Sequence, residues 1–355
     1  MTLMQEMLIA PSFAPQRPGV DLDAVAARLE PLLACPVDAS PMRWDAAART
    51  FVSEGGRRYA PQNGIPSFFV PNEWSKEQED VTDIVKAFYE ETPFPNYDDL
   101  DDRRSLKQKA SAGTFGKLLD DQLPKSATVL EAGCGTGQLT NFLGMSYGRT
   151  CVGGDICLNS LTLATGFRDR FSINNANFVQ MNLFRPPFRA EAFDVVISNG
   201  VLHHTSDPEG GYRSILQKLK RGGFVAIGLY NYYGRLPTLW RRAAIEKFGD
   251  GTEILDSRLR RRNLADGRHA ACRDQYKHPH ESRHSIDEVL GWFKGTNVEF
   301  VSCIPTIGDT EFGEDFQLFE PHPTGSYLDR LSTQMDMLLS GGADGALFIM
   351  IGRKK

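Results

Sequence analysis

The stretch VLEAGCGTGQLTNFL, residues 129–143, decides the fold of this chain. An apolar run leads directly into three glycines, Gly133, Gly135 and Gly137, and a stretch with apolar residues at helical spacing follows. Glycines at a strand-to-helix turn allow positive φ angles and let a ligand approach the backbone. The first turn of the following helix offers unpaired N–H groups. The stretch therefore predicts a strand, a turn and a helix that together bind a nucleotide-like cofactor.

Around this stretch, short apolar runs alternate with helical stretches from about residue 126 onward, which is typical of βαβ units and a parallel sheet. Two long interruptions, residues 232–284 and 305–343, follow the fifth and sixth runs, and the second contains Leu328, Leu331, Met335 and Leu338, which predict a helix. We expect an α/β fold, a Rossmann-like seven-stranded, mostly parallel sheet with a small N-terminal domain and helical insertions after strands 5 and 6. The seven runs are ATVLEAG, TCVGGD, NFVQMN, FDVVISN, GFVAIGLY, VEFVSCI and ALFIMIG.

The chain divides into four parts by pattern. Residues 1–21 are rich in Pro and Met without a period and are predicted to be a flexible tail. Residues 22–72 are predicted to form a small domain, residues 73–125 a set of N-terminal cap helices, and residues 126–355 the α/β domain. The predicted cap helices cover residues 76–91 and Leu106–Leu119.

Composition restricts the functional classes. The chain has 355 residues, of which 41% are hydrophobic and 24% charged, as in ordinary globular proteins. Its net charge of −5 is unfavourable for nucleic-acid binding, which needs a basic surface. None of the six cysteines forms a CxxC pair, so neither a disulfide framework nor a metal site is expected. The chain has no apolar run long enough to span a bilayer and no basic flank of a secretory signal at its start. We therefore expect a soluble, cytoplasmic protein without a transmembrane segment.

The spacing of the glycines separates two cofactor classes. A dinucleotide-binding turn reads G-x-G-x-x-G, whereas here the third glycine comes one residue early, and Glu131 stands two residues before the first. With these two departures, the stretch resembles motif I of class I methyltransferases, which have a seven-stranded α/β fold. The resemblance implies S-adenosyl-L-methionine as the cofactor, held by backbone and acidic groups near the turn, and an enzyme that transfers its methyl group.

Further cofactor contacts are expected after the next strands. Asp155 ends the second strand, where a carboxylate can bind both ribose hydroxyls, although it could instead cap the helix that starts at Leu158. Asn182 follows the third strand, where the family usually has Asp against the adenine amino group, and its side-chain carbonyl can make the same contact. Asn199 is expected at the methionine end of the cofactor. The predicted cofactor-binding residues are Glu131, Gly133, Cys134, Gly135, Gly137, Asp155, Ile156, Asn182, Leu183 and Asn199.

The segment SNGVLHHTSDP, residues 198–208, ends the fourth strand. It resembles the SNxVLHH segment of small-molecule methyltransferases of the quinone-biosynthesis type, which implies a small-molecule acceptor. His203 or His204 could face that acceptor, while the other histidine is structural. Methyl transfer from a sulfonium needs mainly alignment, and a general base is required only where the nucleophile must lose a proton.

A second histidine cluster, DQYKHPHESRHS, lies in the insertion at residues 232–284. Helix capping and packing, acceptor contact and metal binding are its alternative roles, in that order of preference, and no metal site is predicted. The arginines nearby, Arg241, Arg242, Arg258 and Arg260–Arg262, are either a solvated helix face or a site for an anionic acceptor. Predicted catalytic residues are His204, His203 and His280.

Aromatic residues before the α/β domain, in FYEETPFPNY, resemble the N-terminal helix that closes over the cofactor in related methyltransferases. The alternative is simple hydrophobic packing on the sheet. Predicted acceptor-side or lid residues are Tyr89, Phe94, Tyr97, Tyr230, Tyr276 and His278.

The small domain at residues 22–72 resembles the zinc-ribbon-like unit of Trm112-type proteins in its start, LLACP, and its end, YAPQNGIPSFF. That family often carries two CxxC pairs. Here only Cys35 remains, with Asp38 at the position of a second cysteine, and one thiol cannot build a tetrahedral zinc site. The resemblance implies a metal-free copy. An unrelated N-terminal cap is the alternative.

Two other functions stay open. The Trm112-like unit allows a tRNA or protein methyltransferase, although the NPPY-type motif of many such enzymes is replaced by SNGVLHH. A non-catalytic cofactor-binding scaffold subunit is the second, and turnover would distinguish it. The sequence identifies neither the acceptor nor the oligomeric state.

Overall fold

A computed structural model gives the fold. The described residues are 21–73, 81–91, 93, 97, 101–248, 276, 278–308, 312–340 and 343–355. The predicted tail except Asp21, residues 76–80 of the first cap helix, Phe94, Asp274, Arg258 and Arg260–Arg262 lie outside them.

The N-terminal unit consists of one helix and a small sheet. Helix α1 (Leu22–Leu29) begins at Asp21, whose carboxylate accepts a hydrogen bond from the Ala24 amide, and a 3₁₀ turn follows. Three antiparallel strands pair in the order β1-β2-β3. These strands are β1 (Met42–Asp45), β2 (Thr50–Ser53) and β3 (Arg58–Tyr59).

Three helices precede the large sheet: α2 (Val81–Glu91), α3 (Arg103–Ala112) and α4 (Thr114–Gln122). The single helix predicted over Leu106–Leu119 is wrong, because the chain leaves the helical conformation at Gly113 (φ −95°, ψ 85°). The Asp102 carboxylate and the Ser105 side chain form a capping box that fixes the start of α3.

The large sheet has the seven predicted strands in the order β6-β5-β4-β7-β8-β10-β9. Neighbouring strands are parallel except β10, which is antiparallel to β8 and β9. The order changes direction beside β4, so the carboxyl ends of β4, β5 and β7 face the crevice where open α/β sheets bind ligands. The strands are β4 (Thr128–Ala132), β5 (Thr150–Asp155), β6 (Ala176–Gln180), β7 (Phe193–Asn199), β8 (Leu219–Tyr230), β9 (Val298–Ile304) and β10 (Leu347–Lys354).

Helices cover both faces of this sheet. Leu119, Phe142 and Leu161 lie in a core on one face, while Tyr212 and Phe293 lie in a core on the other face together with the N-terminal unit. No helix in the described part of the chain is long and apolar enough to cross a membrane. The helices after β4 are α5 (Gln138–Leu143), α6 (Leu158–Arg170), α7 (Pro208–Leu216), α8 (Leu236–Phe248), α9 (Ile286–Gly295) and α10 (Tyr327–Leu339).

Helix α10 confirms the predicted helix between the last two strands, but its buried face differs from the predicted apolar stripe. Leu328 is 71% exposed, whereas Gln334 is 2% exposed. Gln334 is buried because its carbonyl accepts hydrogen bonds from the Asn231 side chain (3.0 Å) and the Ile286 amide (3.1 Å). A polar contact therefore orients this helix.

Candidate cofactor and acceptor site

The glycine turn between β4 and α5 requires glycine. Gly133, Gly135 and Gly137 have φ angles of +82°, +52° and +73°. A Cβ atom on Gly133 would lie 2.4 Å from the Val201 side chain, and one on Gly137 would lie 2.5 Å from Phe178. At the carboxyl end of β4, a ligand can therefore approach the backbone of these three glycines without meeting a side chain on them. Cys134 between these glycines is buried, and burial raises the pKa of its thiol.

Glu131 lies at the end of β4 and is 9% exposed. Its carboxylate accepts a hydrogen bond from the Thr140 hydroxyl on α5. Burial raises the pKa of Glu131 to about 7, against the opposing effect of that hydrogen bond, and the nearby Asp155 carboxylate raises it further. A cationic group placed beside this carboxyl would favour its ionised form.

Asp155 connects the glycine turn to the end of β5. One carboxylate oxygen accepts a hydrogen bond from the Gly135 amide (2.8 Å) and the other accepts one from the Cys157 amide (2.9 Å). Burial raises the pKa of Asp155, while these backbone hydrogen bonds oppose the shift. The residue at the N-cap of α6 is Cys157, so Asp155 precedes the cap. Ile156 follows it, and its carbonyl accepts a hydrogen bond from Gln180.

Asn182 is 1% exposed, and its amide group is bonded to protein atoms. The side-chain nitrogen donates to the Val70 carbonyl (2.9 Å) and to the Asn72 side-chain oxygen (2.7 Å), and its own oxygen accepts from the Phe184 amide (3.0 Å). Asn182 therefore binds the end of the N-terminal unit to the turn after β6. Leu183, beside it, is half-buried against the core.

Asn199 ends β7 and has a buried side-chain oxygen with no hydrogen-bond partner among the described residues. A Cβ atom on Gly228 would lie 1.9 Å from this oxygen, so the glycine in β8 makes room for it. A buried acceptor without a donor costs free energy. Asn199 is thus suited to accept a hydrogen bond from a ligand.

His203 and His204 form a 3₁₀ turn with Leu202, and both rings are buried. The Nδ1 atom of His204 lies 2.9 Å from the His280 carbonyl, which only accepts, so Nδ1 carries the proton and Nε2 carries the lone pair. Burial lowers the pKa of His204 to about 3. Burial also lowers the pKa of His203, whose ring nitrogens have no hydrogen-bond partner among the described residues.

The segment 278–284 of the predicted insertion lies across the ends of β7 and β8. The Ser282 amide donates to the His203 carbonyl (2.8 Å), and the His284 amide donates to the Tyr230 carbonyl (2.9 Å). The His280 ring nitrogen Nε2 lies 3.1 Å from the Thr205 carbonyl. His280 and Thr205 are 75 residues apart in sequence. The structure therefore brings the two histidine clusters together at the ends of β7 and β8.

A column of rings, which we call the ring column, runs through this place. Its centroid distances are 3.9 Å from Tyr230 to His203, 4.2 Å from His203 to His204, and 3.7 Å from His204 to His278. The column ends on α2, where Phe88 and Tyr89 lie 5.0 and 5.5 Å from the His278 ring. Besides His204, four of the predicted catalytic and acceptor-side residues thus have neighbouring rings here: His203, Tyr230, His278 and Tyr89.

Tyr97 contacts residues beside the glycine turn. The Tyr97 hydroxyl accepts a hydrogen bond from the Asn141 side chain (3.1 Å), and its ring stacks on Phe167 at 4.4 Å. Burial raises the pKa of Tyr97. This tyrosine therefore packs beside the glycine turn and α5. Tyr276 is 2% exposed.

The sequence analysis missed a buried ion pair at the far end of the ring column. Arg235 is fully buried and binds both carboxylate oxygens of Glu281 (2.8 and 2.6 Å). Its guanidinium lies 3.8 Å from the centre of the Tyr230 ring. The pair joins the chain after β8 to the segment 278–284, and the sequence offers no local signal for a contact between residues 46 positions apart.

Comparison with known proteins identifies the central part of the fold. The family described as "Methyltransferase domain" matches residues 130–227. An uncharacterized protein of Synechococcus is 29% identical over 251 residues, which are 62% of this chain and 60% of that protein. Malonyl-[acyl-carrier protein] O-methyltransferase of Acetivibrio thermocellus is 28% identical over 129 residues, 35% of this chain and 43% of that protein. The chain thus spans 60% or less of the length of these two relatives.

Among solved structures, PKMT2 from Rickettsia typhi in complex with AdoHcy matches with a TM-score of 0.48 and 14% identity, over 69% of this chain and 52% of that one. Residues 130–227 therefore match a methyltransferase domain, and the sheet that contains them has a Rossmann-like strand order.

Proposed function

We propose that this protein transfers the methyl group of S-adenosylmethionine to a small-molecule acceptor and releases S-adenosylhomocysteine. The observation that carries the proposal is a pair of carboxyls beside a glycine turn without side chains, the buried Glu131 and the half-buried Asp155. The donor has a positively charged sulfonium and an ammonium group, which such carboxyls attract. The pyrophosphate of a dinucleotide would instead meet two negative groups in a poorly solvated place.

The residues around the turn fit the remaining parts of the donor. Asp155 lies at the end of β5. Its oxygens can accept hydrogen bonds from the ribose hydroxyls and still keep those from the Gly135 and Cys157 amides, since each oxygen has two lone pairs. The unpartnered oxygen of Asn199 suits the donor's ammonium group. Asn182 keeps one lone pair for the adenine amino group, but its bonds to Val70 and Asn72 favour a role in holding the adenine side of the site.

When bound, S-adenosylmethionine supplies an activated methyl group. The protein must then align the acceptor and receive any proton the acceptor loses. His204 is the histidine best placed to receive it, because the His280 carbonyl fixes its tautomer and leaves the Nε2 lone pair for the acceptor. Burial lowers the pKa of His204 to about 3, so the ring holds the proton only while a negative charge develops beside it in the complex. We therefore favour His204 as the base and His203 and His280 as its neighbours, and an acceptor that carries a hydroxyl.

A small acceptor agrees with the way the site is covered. Helix α2 reaches His278 through Phe88 and Tyr89, and the segment 278–284 lies over the ends of β7 and β8. Such a cover excludes water, which strengthens the electrostatics of the site. It also restricts the size of the acceptor that can enter.

We also propose that residues 22–72 are a metal-free Trm112-like unit beside the large domain at residues 126–355. Hydrogen bonds occupy the positions where that family has ligands. The Cys35 sulfur lies 3.2 Å from the Tyr59 hydroxyl, and the Asp38 carboxylate accepts hydrogen bonds from Ser40. The hydrogen bonds from the Ser40 hydroxyl and amide, together with smaller effects of Cys35 and Arg57, lower the pKa of Asp38 to about 2.

The test is calorimetric titration of the full chain with S-adenosylmethionine and S-adenosylhomocysteine, compared with Asp155→Asn. The matched control is Asp336→Asn, an exposed aspartate on α10. We expect binding by the wild type and the control and its loss in Asp155→Asn. Binding by Asp155→Asn at wild-type affinity would show that Asp155 does not contact the cofactor. No binding by the wild type would overturn the proposal.

The acceptor class is tested by release of S-adenosylhomocysteine in separate assays with small hydroxylated aromatics, carboxylic acids, amines, bulk tRNA and acyl-carrier or other protein. Turnover with a small molecule supports the proposal. Turnover only with tRNA or protein would replace the small-molecule assignment, and binding without turnover in all assays would favour a scaffold subunit.

A further inference from the structure

Helix α2 is attached to the site at both ends. Near its start, the Thr82 hydroxyl accepts a hydrogen bond from the Asn72 side chain (3.1 Å). Near its end, the Glu90 carbonyl accepts one from Asn159 on α6, four residues after Asp155 in sequence (2.9 Å). Phe88 then contacts the ring column. The helix therefore crosses the carboxyl ends of the strands that hold the proposed cofactor residues.

The attachment at the start of α2 comes from the N-terminal unit. The last part of that unit lies beside β6, the edge strand of the large sheet. The Phe68 amide donates to the Gln180 carbonyl (2.8 Å), the Gln180 amide donates to the Pro66 carbonyl (2.9 Å), and Ser67 pairs with Gln180 as in a parallel bridge. This pairing continues the chain to Asn72 at the turn after β6.

Asn72 stands between two parts of the site, and it is only 3% exposed. Its side-chain oxygen accepts a hydrogen bond from Asn182 (2.7 Å), and its side-chain nitrogen donates to Thr82 (3.1 Å). An amide suits this arrangement, because its oxygen accepts and its nitrogen donates, whereas an Asp of the same shape would only accept. The three side chains form a relay in the order Asn182, Asn72, Thr82.

We propose that Asn72 is a positioning residue that links the cofactor site to α2, so that cofactor binding and the closed position of α2 stabilise each other. The inference rests on the proposed function, because it requires that the turn containing Asn182 lines the cofactor site. It gives the N-terminal unit a part in catalysis. A coupling of this kind is reciprocal: whatever holds α2 closed also strengthens cofactor binding.

Thr82 offers the sharpest test, because it is less buried than Asn72 and has two close substitutes. Thr82→Val keeps the shape and removes the hydroxyl, whereas Thr82→Ser keeps the hydroxyl. The two measurements are the Kd of S-adenosylhomocysteine by calorimetry and the hydrogen exchange of the α2 amides with and without this ligand. Thermal unfolding of the ligand-free variants reports any purely structural loss.

We expect S-adenosylhomocysteine to slow exchange of the α2 amides in the wild type and in Thr82→Ser. In Thr82→Val this protection should fall and the Kd should rise about three- to tenfold, as expected when the hydrogen bond from Asn72 is lost. The unfolding midpoint without ligand should stay close to that of the wild type. Asn72→Ala should show the same two losses, with some loss of stability.

The inference is overturned if Thr82→Val keeps the wild-type Kd and ligand-dependent protection, or if Thr82→Ser behaves like Thr82→Val. It is likewise overturned if both substitutions change only the unfolding midpoint. A wild-type protein that does not bind S-adenosylhomocysteine at all would instead overturn the proposed function, and this inference with it.

Discussion

The Nδ1 atom of His204 donates to the backbone carbonyl of His280, which lies 2.9 Å away in a segment 76 residues further along the chain. This contact decides which nitrogen of His204 can act as a base, because a backbone carbonyl only accepts hydrogen bonds. It also means that the insertion after β8 fixes the orientation of a histidine on the turn after β7.

Replacing His204 tests its role as the base. For His204→Gln we expect kcat to fall by about 10²-fold with a hydroxyl acceptor, the lower end of the usual contribution of a general base, because a pKa of about 3 makes the ring a weak base. The Kd of S-adenosylhomocysteine should change little, because the ring lies on the acceptor side. The measurement is steady-state kinetics together with calorimetry.

His322→Gln is the matched control for this variant. That histidine contacts the Gln317 carbonyl beside β9 and lies on no element of the proposed site. Unchanged turnover in His204→Gln would show that the acceptor needs no base, or that another group receives its proton.

Cofactor affinity should depend on pH through Glu131. Burial raises the pKa of this carboxyl to about 7, so it is largely neutral at pH 6 and largely ionised at pH 8. A cationic donor binds the ionised form better and lowers the pKa in the complex. We therefore expect tighter binding of S-adenosylmethionine at pH 8 than at pH 6, with release of protons near pH 7.

The measurement is calorimetry in two buffers of different ionisation enthalpy, which counts the released protons. Glu131→Gln should bind more weakly and lose most of this pH dependence. Glu299→Gln, on β9 with a half-exposed side chain, is the control and should keep it. A wild type with pH-independent affinity would contradict the assigned contact between Glu131 and the donor.

The same carboxyl should make the ligand-free fold less stable as the pH rises. The pKa of Glu131 is about 7 when folded and near 4.5 in an exposed chain, so the folded state binds the additional proton between these values. Its contribution is fully present below pH 4.5 and is lost as the pH rises through 7. Glu131→Gln should thus stabilise the ligand-free protein at pH 8, by on the order of 2 kcal/mol.

Urea unfolding at pH 4.5 and pH 8 checks this expectation, with little effect of the substitution at the lower pH. A substitution that weakens cofactor binding and yet stabilises the ligand-free fold would be characteristic of a functional carboxyl. Destabilisation by Glu131→Gln at pH 8 would show instead that the hydrogen bond from Thr140 outweighs the burial of the charge.

Local sequence signals were sufficient for the strands and the glycine turn. The seven apolar runs became the seven strands, because the period and flanking residues of each run belong to neighbouring positions. The positions of Gly133 and Asp155 follow from the same local signals, and the structure joins the two sites through the Gly135 amide. The functional roles given to these residues stay predictions.

Contacts between distant segments could not be predicted in this way. The amide group of Asn182 is bonded to Val70 and Asn72 only because the N-terminal unit pairs with the sheet edge, and no pattern near residue 182 indicates this. The ring column likewise depends on how the insertion returns to the sheet. Gly113 shows the local limit, since apolar spacing predicted one helix where a glycine separates two.

Gly133 tests whether the turn requires glycine. In Gly133→Ala, the new Cβ atom would meet the Val201 side chain at 2.4 Å, and the φ angle of +82° is unfavourable for alanine. We expect the free energy of unfolding to fall by about 2–4 kcal/mol. Gly166→Ala is the control: this glycine lies on α6 with open space around it, so alanine should stabilise the helix by about 0.5–1 kcal/mol. Equal effects of the two substitutions in denaturant unfolding would contradict this geometry.

The buried pair of Arg235 and Glu281 should be more important for the shape of the site than for net stability. Glu281→Gln removes the carboxylate charge that faces the buried guanidinium, which should cost about 3–5 kcal/mol in unfolding free energy. Replacing both residues, Arg235→Met with Glu281→Leu, removes both charges and should recover much of that loss.

Because the guanidinium also covers the Tyr230 ring, at the end of the ring column that contains His204, the double variant should still turn over more slowly than the wild type. Unfolding and kinetics of the two variants separate these effects, and a double variant with both wild-type stability and wild-type kcat would show that the pair does not orient the acceptor side of the site.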